Sequence, residues 1–321
     1  MNPKDVSLDT PGKLTGLIAA PFTAFGPQGE LNLELIGNQA RQLVAGGVSG
    51  AFICGTTGEG FSLTTEERMQ IAERWVAVAP PQLKVIVHVG HNCLGDSVKL
   101  AAHAEKIGAH AIANIAPSFF RPASVEQLVE FCVPVAAAAP MLPYFYYHIP
   151  IMTGVNFSML DFLRIASRRI PNLAGIKSTD ENLMNYAQCL EYEGGRFNIL
   201  FGRDEILLPA LTMGATGAVG STYNYMAPIY LKIMEAFRAG DLAAARQWQM
   251  LSIEIIAIMV RHGGLPAGKA MMNLIGLDCG PVRAPLKTLT GQQQDSLRKE
   301  LESVGFPARV PQLREIVGST N

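Results

Sequence analysis

The sequence has little charge, and the two signs nearly balance. Charged residues make up 17% of the 321 positions, and 26 Lys plus Arg against 27 Asp plus Glu leave a formal net charge of -1. Such a chain lacks the strongly basic surface with which proteins bind nucleic acid or an anionic membrane. We therefore expect neither nucleic acid nor a membrane among its partners.

Cysteines are also few, and long apolar runs are missing. The five cysteines are an odd number and contain no Cys-x-x-Cys pair, so the sequence indicates neither a disulfide framework nor a zinc site. Residues 1–14 contain no apolar segment of the signal-peptide kind, and nowhere do about 18 uncharged apolar residues follow one another. These features predict a soluble protein in a reducing, cytoplasmic compartment.

Hydrophobic residues are abundant, at 49%, and from Gly16 onward short apolar runs alternate with longer amphipathic segments. Eight β/α units of similar size predict an α/β fold, namely a closed parallel (β/α)8 or TIM barrel. A doubly wound open sheet is the alternative, but no Gly-x-Gly-x-x-Gly follows the first run. The eight predicted strands are GLIAAPFT, GAFICGT, KVIVHVG, AIANIAP, PYFYYHIP, LAGIKST, FNILFGR and GAVGS.

Helical periodicity fills the intervals between the predicted strands and continues after the last one. We predict that residues 1–224 form the barrel, which carries the active site, and that residues 225–321 form its eighth helix and a C-terminal helical layer. Two helices of that layer should meet near Gly240 and Asp241. The predicted barrel helices span 33–44, 65–78, 97–107, 125–138, 159–168 and 183–193.

Lys177 closes the apolar run LAGIKST. A lysine at the end of a strand often does no more than extend its stem to water. In a β/α barrel, however, the working residues lie at the C-terminal ends of the strands. A neutral amine in a partly dry pocket there can attack a ketone and form a Schiff base.

Other strands bring polar residues to the same end of the barrel. The loop 55–60, GTTGEG, offers amide and hydroxyl donors to an anion such as a carboxylate, although Gly-Thr turns are common without a ligand. Tyr147 can relay a proton, whereas His148 is more often structural. Asp204 and Glu205 open a helix, where carboxylates are favoured even without a function. Together these residues predict aldolase chemistry on a 2-oxo acid.

The motifs, in order, closely resemble those of the N-acetylneuraminate lyases, within the superfamily of pyruvate-dependent class I aldolases that also includes dihydrodipicolinate synthase. The resemblance covers nearly the whole chain. It implies a homotetramer of (β/α)8 barrels with C-terminal helices, which acts on a small-molecule substrate and needs no metal or external cofactor. The motifs are GLIAAPFTAFGPQGELN, GTTGEGFSLTTEER, YYHIPIMTGV, GIKSTD, FGRDE and GATGAVGSTYNYM.

The resemblance also implies a role for each matching residue. Lys177 is the Schiff-base lysine, which forms a covalent imine with the substrate, and Tyr147 is the catalytic tyrosine. Thr56 and Thr57 bind the substrate carboxylate. The implied reaction is the reversible cleavage of N-acetylneuraminate to N-acetylmannosamine and pyruvate. The residues implied to contact the sugar chain are Thr179, Gly202, Asp204, Glu205 and Ser221.

Two departures distinguish this chain within the superfamily. In the synthases an arginine that holds a substrate carboxylate occupies the position of Met152, and a methionine cannot form that bidentate ion pair. Many members have a tyrosine where this chain has Phe119 or Phe120, and a phenylalanine cannot pass a proton. The alternatives are another pyruvate-dependent aldolase, such as a dihydrodipicolinate synthase-like condensing enzyme, a sugar-acid dehydratase, or a non-catalytic protein that binds 2-oxo acids or sugar acids. Intact Lys177 and Tyr147 argue against the last.

Overall fold

The computed structural model of the chain describes residues 12–308. The expectation that residues 1–14 lack a signal segment therefore falls almost entirely outside the described residues. The same holds for residues 1–11 of the predicted barrel and for residues 309–321 of the predicted helical layer.

Eight parallel strands close into a barrel in chain order, because β1 pairs with both β2 and β8. All eight predicted strands are confirmed, and with them the (β/α)8 architecture. The strands are β1 (Gly16–Ala19), β2 (Gly50–Ile53), β3 (Lys84–His88), β4 (Ala111–Ile115), β5 (Tyr144–His148), β6 (Leu173–Ser178), β7 (Asn198–Phe201) and β8 (Gly217–Gly220).

Helices connect the strands, and the six predicted barrel helices are confirmed with bounds that differ by at most three residues. Periodicity does not predict α5 and α8, because four and six residues are too few to display it. The helices are α1 (Leu35–Ala45), α2 (Thr65–Val78), α3 (Leu94–Lys106), α4 (Val125–Ala137), α5 (Pro150–Thr153), α6 (Met159–Ala166), α7 (Leu183–Glu191), α8 (Leu207–Thr212), α9 (Tyr223–Arg238), α10 (Leu242–Arg261), α11 (Leu265–Leu274) and α12 (Gly291–Ser303).

The side chains of β5 alternate between two hydrophobic cores. Phe145 and Tyr147 belong to the cluster inside the barrel, whereas Tyr144 and Tyr146 belong to the larger cluster between the strands and the surrounding helices. Successive residues of a strand point to opposite faces, so the sequence YFYYH places two of its four aromatic rings inside. The alternation thus directs Tyr147 into the barrel next to β6.

The last four helices form the predicted C-terminal layer. The helix α9 begins at Tyr223, so the predicted boundary at 224/225 falls inside its first turn. The junction between α9 and α10 lies at Gly240, which has φ of +78°, and at Asp241, whose side chain accepts the backbone N–H of Ala244. Within residues 12–308, no single helix is long and apolar enough to cross a membrane. Only α10 and α11 together reach that length and composition, and they are bent by 115° relative to each other.

Candidate active site

A cavity of about 170 Å³ opens at the C-terminal ends of the strands. The residues predicted from the sequence to be catalytic or to bind substrate come from five different strand ends, and the closed barrel brings all of them to this one cavity. They are Thr56, Thr57, Tyr147, Lys177, Thr179, Gly202, Asp204, Glu205 and Ser221. Their roles stay predictions, whereas their proximity is a property of the fold.

Lys177 lies in β6 with only 4% of its surface exposed. Its Nζ lies 3.8 Å from the centroid of the Tyr147 ring and 4.1 Å from the centroid of the Phe52 ring. The lysine stem therefore does not lead to open water, in contrast to the ordinary behaviour of a lysine that ends a strand. The two rings fix the position of the amine at the wall of the cavity.

Tyr147 lies beside this amine on β5, whose residue 147 pairs with Lys177 across the sheet. The Tyr147 hydroxyl is 3.3 Å from Oγ1 of Thr56. Its ring makes edge contacts with Phe52 and His88, at centroid distances of 5.4 and 5.8 Å. A phenol whose ring contacts a lysine amine and whose hydroxyl lies beside a threonine hydroxyl can relay a proton from a bound ligand.

Asp204 is buried just after β7, the strand next to that of Lys177, and is held by Thr222. Its Oδ2 accepts hydrogen bonds from the backbone N–H and the hydroxyl of Thr222, at 3.0 and 2.6 Å, whereas Oδ1 has no partner among the described residues. Burial raises the pKa of Asp204 to about 6, although the Thr222 hydrogen bonds oppose this shift. Asp204 therefore carries a buried acceptor oxygen that has no hydrogen-bond partner among the described residues.

Two glycines leave room for these side chains. A Cβ on Gly220 would lie 1.8 Å from Oδ1 of Asp204, and a Cβ on Gly202 would lie 2.0 Å from Oγ1 of Thr179. Both separations are impossible for real atoms, so any other residue at these two positions would displace a cavity side chain. Glycine is therefore required at residue 202 of the FGRDE motif and at residue 220 of the GAVGS motif, because the side chains of Thr179 and Asp204 occupy the space that a Cβ would need.

Sequence reasoning missed three residues that shape the site. Phe52 contacts the Lys177 amine, Thr222 holds Asp204, and Arg203 lines the cavity. The alternation of side chains along β2 could have indicated that Phe52 points into the barrel, because Phe52 and Gly50 are two residues apart and lie on the same, inner face. Nothing in the local sequence distinguishes Thr222 from Ser221, or marks Arg203 as more than an ordinary surface arginine.

Two buried residues, Arg68 and His88, lie near Tyr147, and the His88 ring contacts it. The Arg68 guanidinium donates to the carbonyl oxygens of His88 and Gly90, at 2.6 and 2.9 Å. Burial, reinforced by the positive charges of Arg68 and Lys177, lowers the pKa of His88 well below its ordinary value. His88 is therefore a neutral ring that packs against Tyr147.

Other residues singled out from the sequence lie away from the lysine. Met152 is 59% exposed and lines a neighbouring cavity, and Phe119 and Phe120 are exposed on the loop after β4. His148 is buried, with Nε2 3.7 Å from Oδ2 of Asp180. Burial lowers the pKa of His148 to about 4, and Asp180 opposes this shift. This buried position beside Asp180 fits the expectation that His148 has a structural role.

Potential metal ligands are grouped elsewhere. Within residues 12–308, one group of three, namely His91, Cys93 and Asp96, has its ligand atoms within 4.8 Å of one another at the start of α3. Nδ1 of His91 already accepts the backbone N–H of Cys93 at 2.9 Å. None of the three lines the lysine cavity.

A buried lysine at the end of a strand in a closed (β/α)8 barrel, with a tyrosine ring against its amine, defines a barrel of the lysine-dependent aldolase class. The chain belongs to the dihydrodipicolinate synthetase family, whose family model matches residues 13–304. Human N-acetylneuraminate lyase is 43% identical over 299 residues, which cover 92% of this chain and 93% of the human protein.

Solved structures give the same result. N-acetylneuraminate lyase from Proteus mirabilis superposes with a TM-score of 0.90 at 42% identity, over 92% of this chain and 100% of that chain. N-acetylneuraminate lyase (sialic acid aldolase) from Aliivibrio salmonicida gives 0.89 at 44% identity, over 92% and 98% of the two chains. The predicted membership of the lyase and synthase superfamily is confirmed.

Proposed function

We propose that this chain is an N-acetylneuraminate lyase that cleaves its substrate to N-acetylmannosamine and pyruvate through an imine on Lys177. The observation that carries the proposal is the position of Nζ, 3.8 Å from the centre of the Tyr147 ring and in one cavity with Thr56 and Thr57. The similarity to N-acetylneuraminate lyases, over 92% of the chain, supports the choice of substrate.

The proposed reaction begins when the neutral amine of Lys177 attacks the ketone carbon of the open-chain sugar acid and water leaves. The resulting iminium draws electrons from the bond between the third and fourth carbons. As that bond breaks, the hydroxyl on the fourth carbon gives its proton to the Tyr147 oxygen while the phenol proton of Tyr147 passes to the substrate carboxylate, and N-acetylmannosamine departs. The remaining enamine is protonated, and water releases pyruvate from the lysine. No external cofactor takes part.

The remaining residues bind the substrate in this proposal. Thr56 and Thr57 hold the carboxylate next to the reacting carbon. Asp204 and Glu205, which line the lysine cavity, accept hydrogen bonds from sugar hydroxyls. The side chain of Ser221 lies on the same wall.

We also propose that the chain forms a homotetramer in the cytoplasm. Phe119 and Phe120, which are 79% and 85% exposed, are the kind of apolar side chains that a partner subunit covers. The five cysteines of the chain are free thiols, which suits a reducing compartment. Sedimentation of the purified protein tests the assembly, since a monomer at micromolar concentration would contradict it.

Mass spectrometry of the products tests the activity. Incubation with N-acetylneuraminate should yield pyruvate and N-acetylmannosamine in equal amounts, and Lys177→Ala should yield neither. In a parallel reaction with pyruvate and aspartate semialdehyde, we expect no condensation product. Efficient condensation there, or the absence of both sugar products, would contradict the proposed function.

A further inference from the structure

A second cavity adjoins the lysine site. It encloses about 420 Å³ and shares Thr179 and Arg203 with the cavity around Lys177. The lysine cavity itself measures about 170 Å³, which is below the roughly 300 to 1,000 Å³ typical of pockets that enclose a drug-sized ligand. A nine-carbon sugar acid with an acylamino group therefore has to extend beyond the lysine cavity.

Two neighbouring cavities could receive the rest of such a substrate, and their linings differ. The third cavity, of about 530 Å³, shares only Thr56 with the lysine site, and its wall is mainly apolar, including Phe61, Ile115, Met152 and Leu265. The second cavity is the more polar of the two, because its wall includes Asn156, Asp180, Glu181 and Arg203 beside Pro150 and Ile151. Polar groups are costly to bury without hydrogen-bond partners, so the polar part of the substrate suits the second cavity.

Arg203 lies at the junction of the lysine cavity and the second cavity. Its guanidinium forms an ion pair with Glu181 through Nη2, while Nε is buried without a hydrogen-bond partner among the described residues. A guanidinium has five donor hydrogens and no acceptor. Because Glu181 already balances its charge, the remaining donors suit a neutral acceptor oxygen better than a second carboxylate of the substrate.

We propose that Arg203 is a specificity-determining residue that donates a hydrogen bond to the amide carbonyl oxygen of the substrate's acylamino group, which lies in the second cavity. This inference rests on the proposed function. An amide carbonyl is a neutral, strong acceptor, and it lies on the part of the sugar beyond the carbons that react. Arg203 thus contributes to substrate binding and not to the breaking of the carbon–carbon bond.

The test compares N-acetylneuraminate with the analogue that carries a hydroxyl in place of the acetamido group. Steady-state kinetics are measured for the wild type, Arg203→Met and Arg203→Lys, with Arg298→Met as the matched control because Arg298 is exposed on α12. We expect Arg203→Met to raise KM for N-acetylneuraminate on the order of 10-fold, the lower end for a hydrogen bond to a charged group. KM for the analogue and kcat for both substrates should change less than about threefold.

Arg203→Lys keeps a charged donor but loses the planar fork, so its KM for N-acetylneuraminate should fall between those of the wild type and Arg203→Met. An unchanged KM in Arg203→Met, or an equal rise for both substrates, overturns the role of Arg203 while the wild-type activity still supports the proposed function. A wild type that cleaves neither substrate overturns the proposed function and this inference with it.

Discussion

At the scale of single residues, the tyrosine beside the lysine amine is the group whose removal separates imine formation from bond cleavage. Tyr147→Phe deletes one hydroxyl and keeps the ring that supports Nζ. We expect the imine still to form with pyruvate, while cleavage of N-acetylneuraminate slows by roughly 10²- to 10⁴-fold, the usual range for a lost general acid–base group. Wild-type turnover in this variant would show that the proton leaves by another route.

Asp204 gives a prediction for stability against pH. Burial raises its pKa from the ordinary 3.8 to about 6, so the folded protein binds this proton more tightly than the unfolded chain does. Stability from this group is therefore fully present below about pH 4 and is lost as the pH rises through about 6.

Urea unfolding of the wild type and Asp204→Asn at pH values between 4 and 7.5 measures this contribution. The free energy of unfolding of the wild type relative to the variant should fall with rising pH, by on the order of 2 kcal/mol in all. The asparagine variant is the reference, since it lacks the titrating group at this position. A difference that is constant with pH would mean that the Asp204 carboxyl is not perturbed.

At the scale of secondary-structure elements, α11 holds the loop after β2. Lys269 Nζ donates to Oε1 of Glu59 at 2.9 Å, and both side chains are at most 2% exposed. Oε2 of Glu59 accepts the backbone N–H of Arg283 at 2.8 Å. Glu59 has φ of +54° and donates its own N–H to the carbonyl of Thr56. The C-terminal layer thus fixes the loop that carries Thr56 in a backbone conformation that glycine would ordinarily favour.

Glu59→Gln should destabilise the protein by about 3 kcal/mol, because it leaves the Lys269 charge buried without a counter-charge. The double variant Glu59→Gln with Lys269→Met should recover part of this loss, since it removes that charge. Glu66→Gln is the control: its ion pair with Lys99 is exposed, and its loss should cost less than about 1 kcal/mol. Equal losses in Glu59→Gln and Glu66→Gln, measured by urea unfolding, would contradict a structural role for the buried pair.

The elements show which parts of this protein the sequence predicts. Each strand is a short apolar run with a polar end, and closure of the barrel brings those ends together. The sequence alone therefore places Lys177 and Tyr147 in one site. The contact between Glu59 and Lys269 joins residues 210 positions apart, and no local pattern indicates it. Thr222 and Arg203 could not be predicted for a related reason, because their roles depend on the side chains that they contact in the fold, Asp204 and Glu181 respectively.

At the scale of the whole molecule, the polar C-terminal ends of the barrel strands lie around one cavity, and the C-terminal helices pack beside that cavity. Ile256 and Met259 of α10 line the lysine cavity, so the helical layer forms part of the site as well as supporting it. The division into a barrel of residues 1–224 and a layer of 225–321 therefore separates elements that build one cavity. It stays a prediction as a division into domains.

The central claim is that Lys177 carries the covalent intermediate, and borohydride reduction tests it most directly. The protein is incubated with N-acetylneuraminate, reduced, digested and mapped by mass spectrometry. A three-carbon adduct derived from pyruvate should appear on the peptide that contains GIKSTD, and it should be absent from Lys177→Ala. An adduct confined to other lysines, or no adduct while products still form, would contradict the Schiff-base mechanism at Lys177.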